Sequence, residues 1–265
     1  MQKIQLKNID QIQLMRKAGL IAYGAHMEAV KLVMPGVKTC KIDAVVEAYI
    51  LDNGGSTLFK GVQGKIPFPA ATCISINDEI IHGIPSNRQL ENGDIVSIDI
   101  GCKYMGWCAD TAISYGVGQI TPEKQRLLTV TKDALHLAIK LISEKRYWSE
   151  VIATIEPFIL ENNFSIVEIA EGHGLGKNLW EPPRVPNYLT NTYKKFNDFP
   201  LVAGTVIAVE PMVVLGKKDA FVGKDGWVVK TKDKSPAAHF EHSLAIMDDK
   251  VIVLTASPIE EEWSL

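Results

Sequence analysis

The chain has 265 residues, 46% of them hydrophobic, enough to bury one large core or two fused halves. A net charge of −3 argues against a nucleic-acid-binding surface as the main function. No apolar run approaches the roughly 18 residues of a membrane span, and the start, Met1-Gln2-Lys3-Ile4-Gln5, lacks the apolar region of a signal peptide, so a soluble cytoplasmic protein is expected. Four cysteines, at 40, 73, 102 and 108, show no CxxC spacing, and neither a zinc knuckle nor a disulfide framework is indicated.

In chain order, Asp10 opens an amphipathic helix with apolar positions at Ile12, Met15, Ala18, Ala22, Ala25, Ala29 and Leu32, stopped by Pro35-Gly36. Thr39 is placed to cap a second helix through Ile42, Val45, Val46 and Tyr49, ending at Asn53-Gly54-Gly55. The Gly- and Pro-punctuated stretch 59–69 reads as a loop with little structure of its own. Strands are expected at 71–76 and 80–84. A third helix starts at Thr121-Pro122, with proline at the tolerated first position, and runs to about 145. A fourth spans about 149–161 and contains Pro157. Strands follow at 165–170, 205–209, 226–231 and 238–247. The lysines between Lys230 and Lys234 read as a solvated turn. Two helices followed by strands occur twice, which predicts a single α+β domain over 1–265, with halves at about 10–118 and 121–253 sharing one antiparallel sheet.

Between the second and third helices, Gly93-Asp94-Ile95-Val96-Ser97-Ile98-Asp99-Ile100-Gly101 and Trp107-Cys108-Ala109-Asp110-Thr111-Ala112 each alternate apolar and polar residues, as half-buried strands do. A hairpin loop over 103–106, centred between Tyr104 and Met105, sets Asp99 directly opposite Asp110. Two carboxylates that close resist ionising together unless a cation lies between them, which points to a two-metal site. Two surface aspartates on an edge hairpin are the bland alternative.

Later segments add related chemistry. His173 stands between glycines in Glu171-Gly172-His173-Gly174-Leu175-Gly176, which puts an imidazole on a bare turn. Glu210 ends the apolar run Val206-Ile207-Ala208-Val209, and Glu241 interrupts another; a carboxylate there must be exposed, paired or bound to metal.

These residues resemble the type I methionine aminopeptidases, whose fold is nicknamed pita bread. The resemblance runs nearly end to end. It is anchored by Met15-Arg16-Lys17-Ala18-Gly19, Cys73-Ile74-Ser75-Ile76-Asn77-Asp78-Glu79, His82-Gly83-Ile84-Pro85, Gly172-His173-Gly174, Val209-Glu210-Pro211-Met212, Asp225-Gly226-Trp227 and Glu241-His242. The stretch between His173 and Glu210 leaves little room for the helical insertion of the family's second type. The resemblance implies that Asp99, Asp110, His173, Glu210 and Glu241 hold two divalent ions, with Asp110 and Glu241 bridging. Sequence does not choose among Mn, Fe, Co and Zn. It implies Glu210 as general base and His82 as the group that hydrogen-bonds the scissile amide. Phe68, Cys73, Leu179, Met212 and Trp227 resemble the lining of the methionine pocket, for which soft apolar walls suit. The implied activity is removal of N-terminal methionine before a small second residue, on nascent chains and peptides, by a monomer that works in the cytoplasm and in association with the ribosome.

Two positions depart from the pattern. Trp180 stands where the family has a second histidine, which donates to the scissile carbonyl oxygen. His239, two residues before Glu241, stands where it usually has glutamine, and is a candidate to make good the missing donor at 180. The loop 61–68 is also longer than the family's usual turn. These departures leave two further readings: a pita-bread protein that binds peptide without cleaving it, and an aminopeptidase for another N-terminal residue or for X-Pro dipeptides.

Overall fold

The structure, a computed structural model, describes residues 3–259. Met1 and Gln2 of the expected leaderless start, and 260–265 of the expected 1–265 domain, lie outside the described residues.

Helix α1 spans Ile9–Val30. Its cap is Asn8, whose side chain accepts from Gln11 N–H while Gln11 accepts from Asn8 N–H, a reciprocal box that starts the helix just before the expected Asp10. Helix α2 covers Thr39–Asp52 and corrects the expected cap: Thr39 lies inside the helix, and its hydroxyl bonds the Ser86 backbone through both N–H and C=O. The Thr39 side chain serves a long-range contact and leaves α2 without a side-chain cap. Helix α3, Pro122–Ile142, is capped by Thr121, and α4, Trp148–Glu161, runs through Pro157. No helix among the described residues is long and apolar enough to cross a bilayer.

The strands are antiparallel. β1 (Ser56–Thr57), β2 (Thr72–Ile76), β4 (Ile95–Tyr104) and β5 (Trp107–Gly116) form one sheet with β4 at its centre; β3 (Glu79–Ile81) joins another. β6 (Ser165–Ile166), β7 (Gly172–Gly174) and β8 (Glu181–Val185) precede a short helix α5 (Asn191–Phe196). Then come β9 (Val206–Val209), β10 (Met212–Val214), β11 (Ala220–Val222), β12 (Val229–Thr231), β13 (Ala237–His239), β14 (His242–Ile246) and β15 (Val251–Val253). The one expected sheet is divided into four hydrogen-bonded ladders: the β4 sheet, β15-β14-β9-β7-β8, β13-β10-β6 and β11-β12-β3.

The expected strand 238–247 breaks at Phe240-Glu241. At that break Glu241 N–H donates to Ala112 C=O at 2.8 Å, and Thr111 Oγ1 donates to Glu241 C=O. Ser243 Oγ accepts from Asp110 N–H and donates to Asp110 C=O, and Ser114 Oγ treats His239 the same way. The break is a seam, stitched to β5 by hydroxyls.

The β4–β5 register differs from the expected one by two residues. Tyr104 pairs with Trp107, so the turn is Met105-Gly106, both with positive φ (47° and 86°), and Asp99 faces Ala112 while Asp110 faces Gly101. A two-residue turn with both residues left-handed matches strand twist better than the wider loop expected, and Gly106 supplies one of those conformations freely. The aspartates keep the same face as diagonal neighbours.

Two apolar cores flank the strands. α1 and α2 pack Ala22, Ala25, Ile42 and Val46 against Ile74, Val96 and Ile98; α3 and α4 pack Leu127, Ile139, Trp148 and Ile155 against Ile207 and Leu244.

Candidate active site

The face of the strands away from the helices holds a cavity of about 230 Å³. Asp99 of β4, Asp110 of β5, His173 of β7, Glu210 just after β9 and Glu241 in the seam all line it. Donor atoms of Asp110, His173 and Glu241 lie within 4.8 Å of one another, and His173 Nε2 is 3.8 Å from Glu210 Oε1. The five side chains that sequence reasoning singled out therefore meet in one place.

Local structure fixes each of them. A Cβ on Gly172 would sit 2.3 Å from Ala208 C=O and one on Gly174 2.1 Å from Pro182 C=O, so only glycines let β7 lie this close to its neighbours. His173 Nδ1 donates to Gly174 C=O at 3.0 Å, which leaves the Nε2 lone pair facing the carboxylates. Asn187 Nδ2 donates to the Glu210 backbone carbonyl at 2.9 Å, and Glu241 is held by Ala112.

The electrostatics suit a cation. Among the described residues no lysine or arginine lines the cavity, whereas Asp99, Asp110, Glu210 and Glu241 do, beside Glu171, which is paired with Arg184. Asp99 Oδ1, Asp110 Oδ1 and Glu241 Oε1 are buried without a hydrogen-bond partner. Burial, then mutual repulsion, pushes the carboxyls of Asp99, Glu210 and Glu241 well above the usual range. Burial raises Asp110 to about 7, and it lowers His173 to about 4, so the imidazole is neutral at neutral pH. Orphaned carboxylate oxygens beside one bare imidazole nitrogen form a donor set that fits divalent metal ions.

The rest of the cavity is mostly apolar. Phe68 meets Trp227 edge to face at 5.2 Å, His82 meets the same ring at 6.3 Å, and Cys73 and Leu179 complete that wall. His82 has φ 59° and leads into Gly83, where a Cβ would meet Ile74 C=O at 2.1 Å. Burial lowers its pKa to about 4. Trp180 stands at the mouth with 55% of its surface exposed.

Met212 is a correction. It is not among the lining residues but is packed with Ile80, Ile81 and Val214 in a separate apolar cluster, fully buried in the β10–β13 ladder opposite His239. His239 also stays out of the lining; it is buried behind Glu210, with Nε2 3.4 Å from Glu210 Oε2.

Sequence reasoning missed Phe59, Val62, Ile81, Ala170 and Glu171 as lining residues. Phe59 and Val62 belong to the loop read as unstructured. It is in fact closed by Phe68 N–H to Val62 C=O (2.9 Å) and Gly61 N–H to Phe68 C=O (2.8 Å), and clamped by Trp227 Nε1 on Ile66 C=O (2.8 Å). The clamp lies 161 residues away in sequence, so no local pattern announced it. Glu171 was visible only as a neighbour of His173.

Comparison with known proteins agrees with this geometry. A methionine aminopeptidase of Clostridium perfringens is 37% identical over 253 residues, covering 95% of this chain and 98% of that one. Methionine aminopeptidase 1 of Bacillus subtilis is 37% identical over 250 residues, covering 94% and 98%. The crystal structure of a Thermotoga maritima methionine aminopeptidase superposes with a TM-score of 0.90 at 33% identity, covering 96% of this chain and all (100%) of that one. The Pyrococcus furiosus prolidase shares the fold at 21% identity, with a TM-score of 0.72 over 95% of this chain and 65% of its own. The architecture is thus the pita-bread fold, α+β with antiparallel sheets. Residues 13–248 match the model of metallopeptidase family M24, and with relatives this similar over nearly their whole length the chain belongs to that family, a family of hydrolases that work with divalent metal ions.

Proposed function

We propose that this protein removes the N-terminal methionine from peptides and nascent chains whose second residue is small. The observation that carries the proposal is the convergence of five metal-suited side chains at one end of a cavity whose other end is soft and apolar. The printed names of its relatives support the same reading.

Asp99, Asp110, His173, Glu210 and Glu241 would hold two divalent ions among Mn, Fe, Co and Zn, to which the orphaned oxygens of Asp99, Asp110 and Glu241 are open. Ions bound there polarise a scissile carbonyl and lower the pKa of water. The chain's own groups do the rest. Glu210 takes the proton of the attacking water and returns it to the leaving amine. His82, kept neutral by burial, hydrogen-bonds the scissile amide. Phe68, Cys73, Leu179 and Trp227, joined by Phe59, take the methionine side chain, and dispersion with a polarisable thioether suits those walls. Trp180 offers one N–H at the mouth where an imidazole would donate to the carbonyl.

In this reading 1–265 is one catalytic domain. Asp99 and Asp110 come from its first half, about 10–118, and His173, Glu210 and Glu241 from its second, about 121–253. It acts as a monomer in the cytoplasm, associated with the ribosome, on polypeptide N-termini rather than nucleic acid or membrane.

The test is kcat/KM on Met-Ala-Ser against Leu-Ala-Ser and Ala-Pro, with Mn, Fe, Co or Zn added in turn. Preferential cleavage of the methionine peptide, abolished by chelation, is expected. A metal-loaded protein that cleaves only Ala-Pro, or nothing, overturns the proposal.

A further inference from the structure

His239 ends β13, and its backbone is fixed on both sides: N–H donates to Ser114 Oγ at 2.8 Å and C=O accepts from the same hydroxyl at 2.9 Å. It is paired with Met212 in the β10–β13 ladder, two residues along from Glu210, which brings the two side chains together. The imidazole Nε2 is buried without a hydrogen-bond partner, and Glu210 Oε2 lies 3.4 Å from it, a few tenths of an ångström beyond a formed N–H···O bond. The other oxygen of the same carboxylate, Oε1, faces His173 Nε2 at 3.8 Å. Glu210 is therefore bracketed by two imidazoles, one on each oxygen.

We propose that His239 is a positioning residue for Glu210, donating from Nε2 to Oε2 so that Oε1 alone is presented to His173 and the metal-binding cluster. A carboxylate ligated through one oxygen is free to swing unless its second oxygen is held, and here the imidazole in position to hold it, His239, lies outside the cavity lining. The family's usual glutamine can make the same donation, through an amide N–H instead of a ring N–H. The role rests on Glu210 acting as ligand and base, as proposed above, and it gives His239 no contact with substrate.

The experiment measures Mn²⁺ binding to the full chain by calorimetry, beside kcat and KM on Met-Ala-Ser, for wild type, His239→Ala and His239→Gln. His239→Ala is expected to weaken Mn²⁺ binding by about tenfold or more, the scale for lost outer-shell partners, and to lower kcat with KM nearly unchanged. His239→Gln is expected to restore most of both. Unchanged Mn²⁺ affinity in a folded His239→Ala protein overturns the proposal. So does a His239→Gln protein that melts like wild type yet binds Mn²⁺ as weakly as the alanine variant. If His239→Ala does not fold, a wild-type-like His239→Gln protein beside a folded His239→Leu variant with unchanged affinity gives the same refutation. Should wild type cleave no methionine peptide, the function proposed above fails while the Mn²⁺ measurement still decides the role of His239.

Discussion

Strand β5 and the seam at 240–242 each present two faces, and the faces differ in their polar groups, carboxylates on one and imidazoles with Lys132 on the other. On one, Asp110 and Glu241 enter the metal-suited cavity; on the other, their neighbours Thr111 and His242 line a second cavity of about 210 Å³ with Tyr23, His26, Lys132 and His136. No carboxylate lines the second cavity and no lysine or arginine the first. Alternation along an extended chain produces that division. Pairing is what separates a site from packing. His26 Nε2 donates to Thr111 C=O at 3.2 Å, and His242 Nδ1 meets Thr255 Oγ1 at 2.8 Å. The unpaired His26 Nδ1 is an uncharged lone pair, because burial holds that imidazole at about 4. The unpaired oxygens of Asp99, Asp110 and Glu241 must carry charge to work, and a buried charge without a partner costs far more than a buried lone pair.

Neutralising the acidic face should break the contrast most severely. Asp110→Asn is expected to weaken Mn²⁺ binding by more than about 100-fold, beyond the range for outer-shell changes, and to reduce hydrolysis in step. After chelation the same variant should melt at a higher temperature than chelated wild type, since one of the mutually repelling carboxyls is gone. Calorimetry and thermal melts measure both. Unaltered Mn²⁺ binding would place Asp110 outside the metal centre.

The mouth of the acidic cavity offers the next largest effect. Trp180→His should raise kcat/KM on Met-Ala-Ser by about tenfold or more, mainly through kcat, because a single donor to a developing oxyanion is worth on the order of 10²–10³. No gain in a folded variant would mean that another group already stabilises the carbonyl oxygen.

The acidic face was legible in sequence because a carboxylate that interrupts an apolar strand is hard to explain otherwise. Glu210 and Glu241 stand out for that reason, and the paired glycines mark His173. The exact pairing of Asp99 and Asp110 was not legible. It hangs on whether Met105 accepts a left-handed conformation, and only the finished hairpin decides that. The break at Glu241 was hidden because Ala238 to Met247 reads as one strand, while the reason for the break is a partner, Ala112, far away in the chain. Met212 was placed in the pocket by the family resemblance, whereas its packing against Ile80 and Val214 joins strands far apart in the chain. Thr39 had the right side chain for a cap but a better partner in Ser86.

The smallest effect lies in the pH dependence of stability, where Asp110 and His26 act with opposite sign. Asp110 rises from 3.8 to about 7 on folding, so the ion-free folded protein binds more protons than the unfolded chain across that window, and its stability falls as pH rises through it. His26 drops from 6.5 to about 4, so the folded protein binds fewer protons, and stability is lost as pH falls through that range. Asp110→Asn should reduce the first slope, to which Asp99, Glu210 and Glu241 also contribute, and His26→Phe the second, which His82, His173, His239 and His242 share, each read as melting temperature against pH in chelator. Losing the bond to Thr111 C=O costs His26→Phe about 1 kcal/mol at every pH, so the informative quantity is the difference between pH 5 and pH 7.5. That difference should shrink by a few °C, roughly the scale of 1 kcal/mol in a chain of this length. Turnover at pH 7.5 should stay near wild type, since His26 faces away from the metal cluster. An acid limb as steep in His26→Phe as in wild type would show that His26 contributes nothing to it and that the other buried imidazoles, His82, His173, His239 and His242, carry it.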